Sequence, residues 1–182
     1  HGTTITAGSP KDMVDISKKI VANQSDETAD EEKEADEMPQ QSEQTGDLWK
    51  SQLRINEEND VYGNHKISIT DFGIFDETGK LTNMIMKKRP FTVKMRVEIA
   101  EDVENPIFAF TIKNVRGQDV TGTNTMFERK DLELAKKGES YEISFSQKAM
   151  MQGGEYLVSF GCTGYENGEF TVYDRLYDIT NL

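Results

Sequence analysis

Residues 91–100 read FTVKMRVEIA, and this stretch decides the fold. Apolar side chains occupy every second position from Phe91 to Ile99, and polar or charged side chains fill the positions between them. A period of two is the pattern of a β-strand with one face in a core and the other in solvent. An amphipathic helix would instead repeat its apolar residues every three or four positions. The stretch therefore predicts a half-buried strand.

Similar alternations recur on both sides of this strand. The further predicted strands lie within 67–72, 107–113, 141–145, 156–160, 170–172 and 176–179. Turn residues separate them, as at Gly153-Gly154. Seven or eight short strands at this spacing are typical of a β-sandwich. The fold class predicted for residues 49–182 is therefore all-β, an antiparallel sandwich.

The first 22 residues follow a different pattern. Ser9-Pro10 suits the start of a helix, with Ser as its cap and Pro at its first position. Met13, Ile16 and Ile20 then fall on one helical face. We expect a short helix over residues 10–21, which needs a partner because so short a helix is marginal alone in water. An alternative is a cloning remnant that runs into a frayed helix.

Residues 23–48 hold most of the negative charge. Ten acids and one base lie there, and they account for nine of the twelve net negative charges of the chain. Almost no large apolar residue is present, so the stretch cannot bury enough surface to offset the entropy of ordering. We predict a disordered acidic linker. A solvated acidic helix is the alternative, because EEKEADE is a fair helix former.

Several classes of function lack their motifs. The chain has no Gly-x-x-x-x-Gly-Lys-Ser/Thr loop and no basic patch suited to nucleic acid. His1 and His65 lie far apart, without partners at metal-ligand spacing or in a Ser/His/Asp set. Cys162 is the only cysteine, which excludes an internal disulfide and favours a reducing compartment. From these missing motifs we expect a non-catalytic protein that needs no cofactor or metal. No signal peptide or membrane-spanning run is visible, so if the protein works at a membrane, something else holds it there.

Candidate binding residues lie on the polar faces of two predicted strands. They are Lys94, Arg96 and Glu98 on 91–100, and Thr111 and Lys113 on 107–113. Forked Arg and Glu side chains can pair with vicinal hydroxyl groups, and an aromatic ring at the rim can cover the C–H patches of a sugar. The set suits a neutral polyhydroxylated ligand. An ordinary solvated face is the alternative, and these residues alone favour it.

Residues 117–125, GQDVTGTNT, resemble the G-x-x-[IVL]-x-G-T-N-T signature of Wzt-type C-terminal domains. These domains end the ATP-binding subunits of ABC transporters that export lipid-linked O-antigen and related surface polysaccharides. Four more segments resemble motifs of that family in the same order: the opening YG at 62–63, NPIFAFTI at 105–112, GGEYLVS at 153–159 and YDRLYD at 173–178. One departure is Gly153, where the family usually has Pro.

The resemblance implies an immunoglobulin-like or jelly-roll sandwich that forms a homodimer. It implies binding to the glycan end of a lipid-linked polysaccharide in the cytoplasm, at the inner face of the bacterial membrane beside the transporter permease. GQDVTGTNT would be a hairpin turn that feeds an edge strand. Asn124 would anchor this turn or, less favoured, face the ligand, and Tyr173 joins the candidate carbohydrate-binding residues. The alternative function is a dimerisation or docking domain that binds no sugar.

The N-terminal residues 2–14 are similar to the end of an ABC ATPase domain, G-x-I-x-x-G-x-P-x-E-V, with Asp12 in place of the usual Glu. The resemblance implies an ATPase tail at 1–22, the linker at 23–48 and a carbohydrate-binding module at 49–182. The chain ends at Leu182, where the final apolar strand of the family should run. A shortened or exchanged strand would leave one sheet edge exposed.

Overall fold

The computed structural model describes residues 13–19 and 48–182. In these residues, eleven strands and one turn of 3₁₀ helix at Trp49–Gln52 are present. The strands are β1 (Met13–Lys19), β2 (Asp60–Tyr62), β3 (Ile67–Phe75), β4 (Pro90–Ile99), β5 (Val103–Glu104), β6 (Ile107–Asn114), β7 (Asp119–Asn124), β8 (Leu134–Ala135), β9 (Ser140–Lys148), β10 (Tyr156–Glu166) and β11 (Glu169–Asn181). No helix in the described ranges has the length and apolar character needed to cross a membrane.

Two antiparallel sheets form the fold. Sheet A has the strand order β1-β9-β4-β3, and sheet B has the order β2-β11-β10-β6-β7. Strands β5 and β8 pair separately as a short ribbon. The prediction of an antiparallel β-sandwich is confirmed.

The core lies between the two sheets and follows the alternation in the sequence. On β4 the five apolar residues from Phe91 to Ile99 are buried, and the residues between them face outward. Aromatic pairs join the sheets: Phe72 lies 4.9 Å from Phe160, and Phe110 lies 5.1 Å from Phe145, between ring centroids. Such contacts fix the spacing of the sheets, and therefore which residues face outward.

The single cysteine belongs to this core. Cys162 on β10 has no exposed surface. Burial raises the pKa of its thiol well above the ordinary value, and the nearby Asp174 carboxylate adds to the shift. The residue therefore acts as a small apolar packing group.

The predicted helix at residues 10–21 is wrong over the part that the structure describes. Residues 13–19 form β1, which pairs antiparallel with β9 at the edge of sheet A. Val14 enters the core and Ile16 packs partly against it, so the buried positions alternate as in a strand. The pairing with β9 decides the structure, because a seven-residue segment has little helical stability of its own. The rest of the predicted helix and residues 23–47 of the predicted linker lie outside the described residues.

Charged groups also hold β1 against its neighbour. Lys19 Nζ lies 3.1 Å from Glu142 Oε2, and Lys18 Nζ lies 3.3 Å from Glu139 Oε1. Both carboxylates belong to β9 or the residue before it. Exposed pairs of this kind contribute little individually, so the ladder and Val14 supply most of the attachment.

The hairpin predicted from GQDVTGTNT is confirmed, since it joins β6 to β7 at the edge of sheet B. Gly122 is required there because a Cβ atom would lie 2.5 Å from the Phe110 carbonyl oxygen. The backbone N–H of Phe127 donates to Asn124 Oδ1 at 2.8 Å, which anchors the turn after β7. The buried hydroxyl of Thr125 accepts a hydrogen bond from the backbone of β6.

Candidate ligand-binding groove

The predicted site residues do not form a single site. They fall in three places: Lys94, Arg96 and Glu98 on the outer face of sheet A, Thr111, Lys113 and Asn124 in a groove on the outer face of sheet B, and Tyr173 in the core. The two faces lie on opposite sides of the sandwich. A small ligand therefore contacts one of the two sets at most.

On sheet A, Arg96 is engaged by the protein itself. Its guanidinium carbon lies 3.7 Å from the ring centroid of Trp49. Its Nε lies 3.2 Å from Glu142 Oε2, and Nη1 lies 3.6 Å from Asp71 Oδ2. Asp71 is buried, and its carboxylate accepts hydrogen bonds from the backbone N–H groups of Trp49 and Lys50 in the 3₁₀ turn. Arg96 thus fastens this turn to the sheet, and two carboxylates balance its charge.

The neighbouring groups on sheet A follow the same pattern. Lys94 Nζ lies 4.9 Å from the ring centroid of Phe75 and 3.8 Å from Glu142 Oε1. Burial is the largest influence on Glu142 and raises its pKa, but the cations around it outweigh burial and hold the pKa below its ordinary value. Glu98 is exposed at the end of the strand. Lys94, Arg96, Asp71 and Glu142 therefore form an ionic network on this face, and Glu98 lies outside it.

The prediction that Tyr173 contacts a ligand is corrected by its position in the core. It has no exposed surface, and its hydroxyl lies 3.5 Å from Glu166 Oε1. Burial, together with the Glu166 carboxylate, raises the pKa of Tyr173 to about 12. A Cβ atom at Gly164 would lie 2.9 Å from the Tyr173 hydroxyl oxygen, so this glycine makes room for the ring. Tyr173 packs the fold.

The outer face of sheet B carries a groove with a volume of about 410 Å³. Its lining residues are Ile107, Ala109, Phe110, Thr111, Lys113, Gly117, Asp119, Asn124, Met126, Ser159, Phe160, Gly161, Thr163, Tyr165, Phe170, Arg175 and Tyr177. The groove spans four adjacent strands, β7, β6, β10 and β11, so it belongs to the rigid sheet.

Small residues form the floor of the groove. Ala109 pairs with Gly161, and Thr111 pairs with Ser159, on the neighbouring strands β6 and β10. Their short side chains leave space above the backbone. A Cβ atom at Gly161 would lie 3.7 Å from Arg175 Nε, an ordinary contact, so the missing side chain is not required by the fold. The glycine instead keeps the floor low.

An aromatic pair stands at one end of the groove. Tyr165 and Phe170 flank the β10–β11 turn with centroids 5.6 Å apart, and about half of each residue is exposed. The turn residues Asn167 and Gly168 have φ angles of 52° and 81°, which is the Asn-Gly geometry of a tight hairpin. Two exposed rings on a tight hairpin form a fixed apolar surface at this end.

A second aromatic pair holds a cation. The rings of Tyr62 and Tyr177 lie 5.9 Å apart between centroids. Arg175 Nη1 donates to the Tyr62 hydroxyl at 3.0 Å and to the Tyr177 hydroxyl at 3.4 Å. Burial alone would raise the pKa of Tyr62, but the hydrogen bonds from Arg175 and Tyr177 outweigh it and lower that pKa. The arginine and the two phenols therefore act as one polar unit.

Lys113 supplies a second cation beside this unit. Its Nζ lies 4.6 Å from the Tyr177 ring centroid and 3.5 Å from Asp178 Oδ1. Asp178 also accepts a hydrogen bond from the Ser159 hydroxyl, at 3.2 Å. The groove thus presents donors, acceptors and ring faces within one continuous surface, as polar ligand sites do.

The part of the chain that forms both sheets' long strands and the groove also matches a known protein family. A family model described as the Wzt C-terminal domain matches residues 58–182. The chain belongs to the Wzt C-terminal domain family. Membership makes the sandwich a non-catalytic domain of an ABC transporter subunit.

A solved structure supports the fold of this Wzt C-terminal domain. The crystal structure titled as the C-terminal domain of Wzt matches with a TM-score of 0.68 and 22% sequence identity, over 74% of this chain and 82% of that chain. No match was found among curated proteins.

Sequence reasoning missed several groove residues of the Wzt C-terminal domain, namely Tyr165, Phe170, Arg175 and Tyr177. It also missed Tyr62, which accepts a hydrogen bond from Arg175. The prediction for Tyr173 was wrong because it relied on strand parity, which is broken in β11. The pairing of β10 with β11 shifts between Cys162 and Thr163, so Tyr173 is an extra residue at a bulge. The Y-D-R-L-Y-D segment carries a usable signal, because Arg175 and Tyr177 alternate with the buried Leu176.

Proposed function

We propose that this Wzt C-terminal domain binds the glycan of a lipid-linked surface polysaccharide in the groove of sheet B. The domain would serve the ATP-binding subunit of an ABC transporter in the cytoplasm, beside the permease and a second copy of itself. The observation that carries the proposal is the groove itself, with its low floor between two aromatic pairs. Ring faces can cover the C–H patches of sugars, while Arg175 and Lys113 of the groove lining offer hydrogen bonds to hydroxyl groups.

The proposal predicts weak binding by one domain. A single hydrogen bond contributes about 1 kcal/mol net, so a few contacts give modest affinity. Repeating units on a polymer, together with a dimer, would raise the effective affinity without any new contact.

A second candidate function rests on the same exposed rings. Tyr165 and Phe170 would also suit a contact with another protein or a second copy, in a dimerisation or docking domain that binds no sugar. The two functions differ in what the groove recognises, so a matched pair of variants separates them.

The test compares two exposed phenylalanines. Phe170 lines the groove, whereas Phe127 is 74% exposed and lies outside the lining. Phe170→Ala should weaken binding to surface polysaccharide roughly fivefold, since a stacking contact of this size is worth about 1 kcal/mol. Phe127→Ala should leave binding unchanged. NMR titration of the ¹⁵N-labelled chain with polysaccharide measures both.

The outcome that contradicts the proposal is also specific. If no backbone signal around the groove shifts at millimolar saccharide, while Phe170→Ala changes the oligomeric state in light scattering, the docking function replaces glycan binding.

A further inference from the structure

Arg175 is a groove cation whose charge is not balanced by the protein. Among residues 13–19 and 48–182, its guanidinium forms no ion pair with a carboxylate, and its hydrogen bonds to other side chains come from Nη1 alone and end on two phenols. Nε and Nη2 therefore have donors to offer. Nε faces Gly161, 3.7 Å from the point where a Cβ atom at that glycine would lie.

Two other partly buried cations of the sandwich, in contrast, have carboxylate partners. Arg96 has Glu142 and Asp71, and Lys113 has Asp178. Phenol hydroxyls are weaker partners for a guanidinium than carboxylates, because they carry no charge. The structure thus fixes the direction of Arg175 without neutralising it.

We propose that the groove selects a glycan that carries an anionic group, either a carboxylate or a phosphate, and that Arg175 binds this group. This inference rests on the proposed function of the same groove. It departs from the neutral ligand predicted from the sequence. A planar guanidinium can donate two parallel hydrogen bonds to either oxyanion, which gives direction as well as attraction.

The position of Arg175 adds to this assignment. It lies on β11, in the row that joins Ala109, Gly161 and Tyr62 across β6, β10, β11 and β2, and β11 is the strand next to the β2 edge of sheet B. An anionic group bound there would leave the rest of the sugar over the low floor. The side chain is only partly exposed, so the pair would be screened by water less than a surface pair.

Long-range attraction does not explain anion binding by this chain. The net formal charge is −12, so the overall field repels anions. Selection must therefore be local, and it should respond to a single substitution at Arg175. The control is the removal of one positive charge at a position outside the groove. Arg116 serves this purpose, because it is exposed in the β6–β7 turn and does not line the groove.

The experiment uses the full 182-residue chain and matched saccharides. Oligogalacturonate is compared with the same oligomer after reduction of its carboxyl groups, and phosphorylated oligomannose with its dephosphorylated form. Inorganic phosphate is the test for a bare ion site. Affinities of the chain and of Arg175→Gln, Arg175→Lys and Arg116→Gln are measured by NMR titration, and thermal unfolding checks that each variant is folded.

The inference predicts that at least one anionic saccharide binds roughly tenfold more tightly than its neutral form, as a charge-assisted pair supports. Arg175→Gln should remove this preference, Arg175→Lys should keep part of it, and Arg116→Gln should keep all of it. The wild-type comparison needs no variant, so a folding defect would not mask the answer.

Three results would overturn the inference, and they are distinguishable. Equal binding of anionic and neutral saccharides leaves the proposed glycan function intact but removes the anionic preference. Inorganic phosphate that binds as tightly as the phosphorylated saccharide points to an ion site without sugar recognition. Binding of no saccharide, neutral or anionic, removes the glycan function as well.

Discussion

The outer faces of sheets A and B each carry an arginine beside aromatic rings, but the two arginines have different partners. Arg96 stacks on Trp49 and has two carboxylates, whereas Arg175 lies near Tyr62 and Tyr177 and has none among the described residues. The comparison teaches that the supply of carboxylates from neighbouring strands decides the role of such a cation. On sheet A the charges close a structural network. On sheet B, Lys113 is paired with Asp178, but the charge of Arg175 remains available above a low floor.

The largest expected effect comes from filling the groove. Gly161→Leu should abolish measurable saccharide binding, because a branched side chain would occupy the floor beside Arg175. The fold should persist, since a Cβ atom at this position meets only Arg175 Nε at 3.7 Å. NMR titration measures binding, and circular dichroism measures the fold.

The matched control introduces the same side chain on sheet A. The control is Ser144→Leu, because Ser144 lies on the outer face of β9, opposite Lys94 on β4. It should leave saccharide binding unchanged. Binding that survives Gly161→Leu, or is lost in Ser144→Leu, would break the assignment of the groove to sheet B.

A stability effect of intermediate size tests the network on sheet A. Arg96→Ala removes the partner of Asp71 and Glu142 and the contact with Trp49. We expect a loss of about 2 kcal/mol in the free energy of unfolding, because a buried carboxylate is left with less compensation. Urea unfolding measures this loss.

The same variant should keep the affinity of the groove for saccharide, whereas Tyr177→Ala should lower affinity and change stability less. A variant Arg96→Ala that unfolds like the wild type, yet binds saccharide poorly, would reverse the roles of the two faces.

The smallest expected effect is on the stability of the fold at acidic pH. The pKa of Glu142 is lower in the folded chain than its ordinary value of 4.5. The group therefore contributes stability above pH 4.5, and this contribution is lost as the pH falls through the lower folded-state pKa. Glu142→Gln should flatten the decline in stability in acid. Thermal unfolding as a function of pH measures the slope, and an unchanged slope would mean that Glu142 is not part of a tight network.

The sandwich could be predicted from the sequence because its strands are long enough to show a period of two, as Phe91 to Ile99 does. The N-terminal segment could not, since Val14 and Ile16 fit a strand while Met13, Ile16 and Ile20 fit a helix. A partner strand more than 120 residues away resolves that conflict. In a short segment whose apolar residues fit both a strand and a helix, tertiary contacts decide the secondary structure.

The groove was harder to predict than the fold because it also depends on contacts between residues far apart in the sequence. Tyr62 and Tyr177 meet only because β2 pairs with β11, and no local pattern reports that contact. The bulge at Tyr173 then reverses the parity of the closing strand. Asn124 shows the limit of motif reading as well, because it anchors a turn and also lines the groove.

The buried thiol of Cys162 has a practical consequence. It is the only cysteine of the chain, and its raised pKa and lack of exposure protect it from alkylating reagents at neutral pH. A fluorophore attached through a new cysteine at an exposed position of the groove, for example Asp119→Cys, would therefore label one position only. The unmodified chain is in this sense already prepared for single-site spectroscopy.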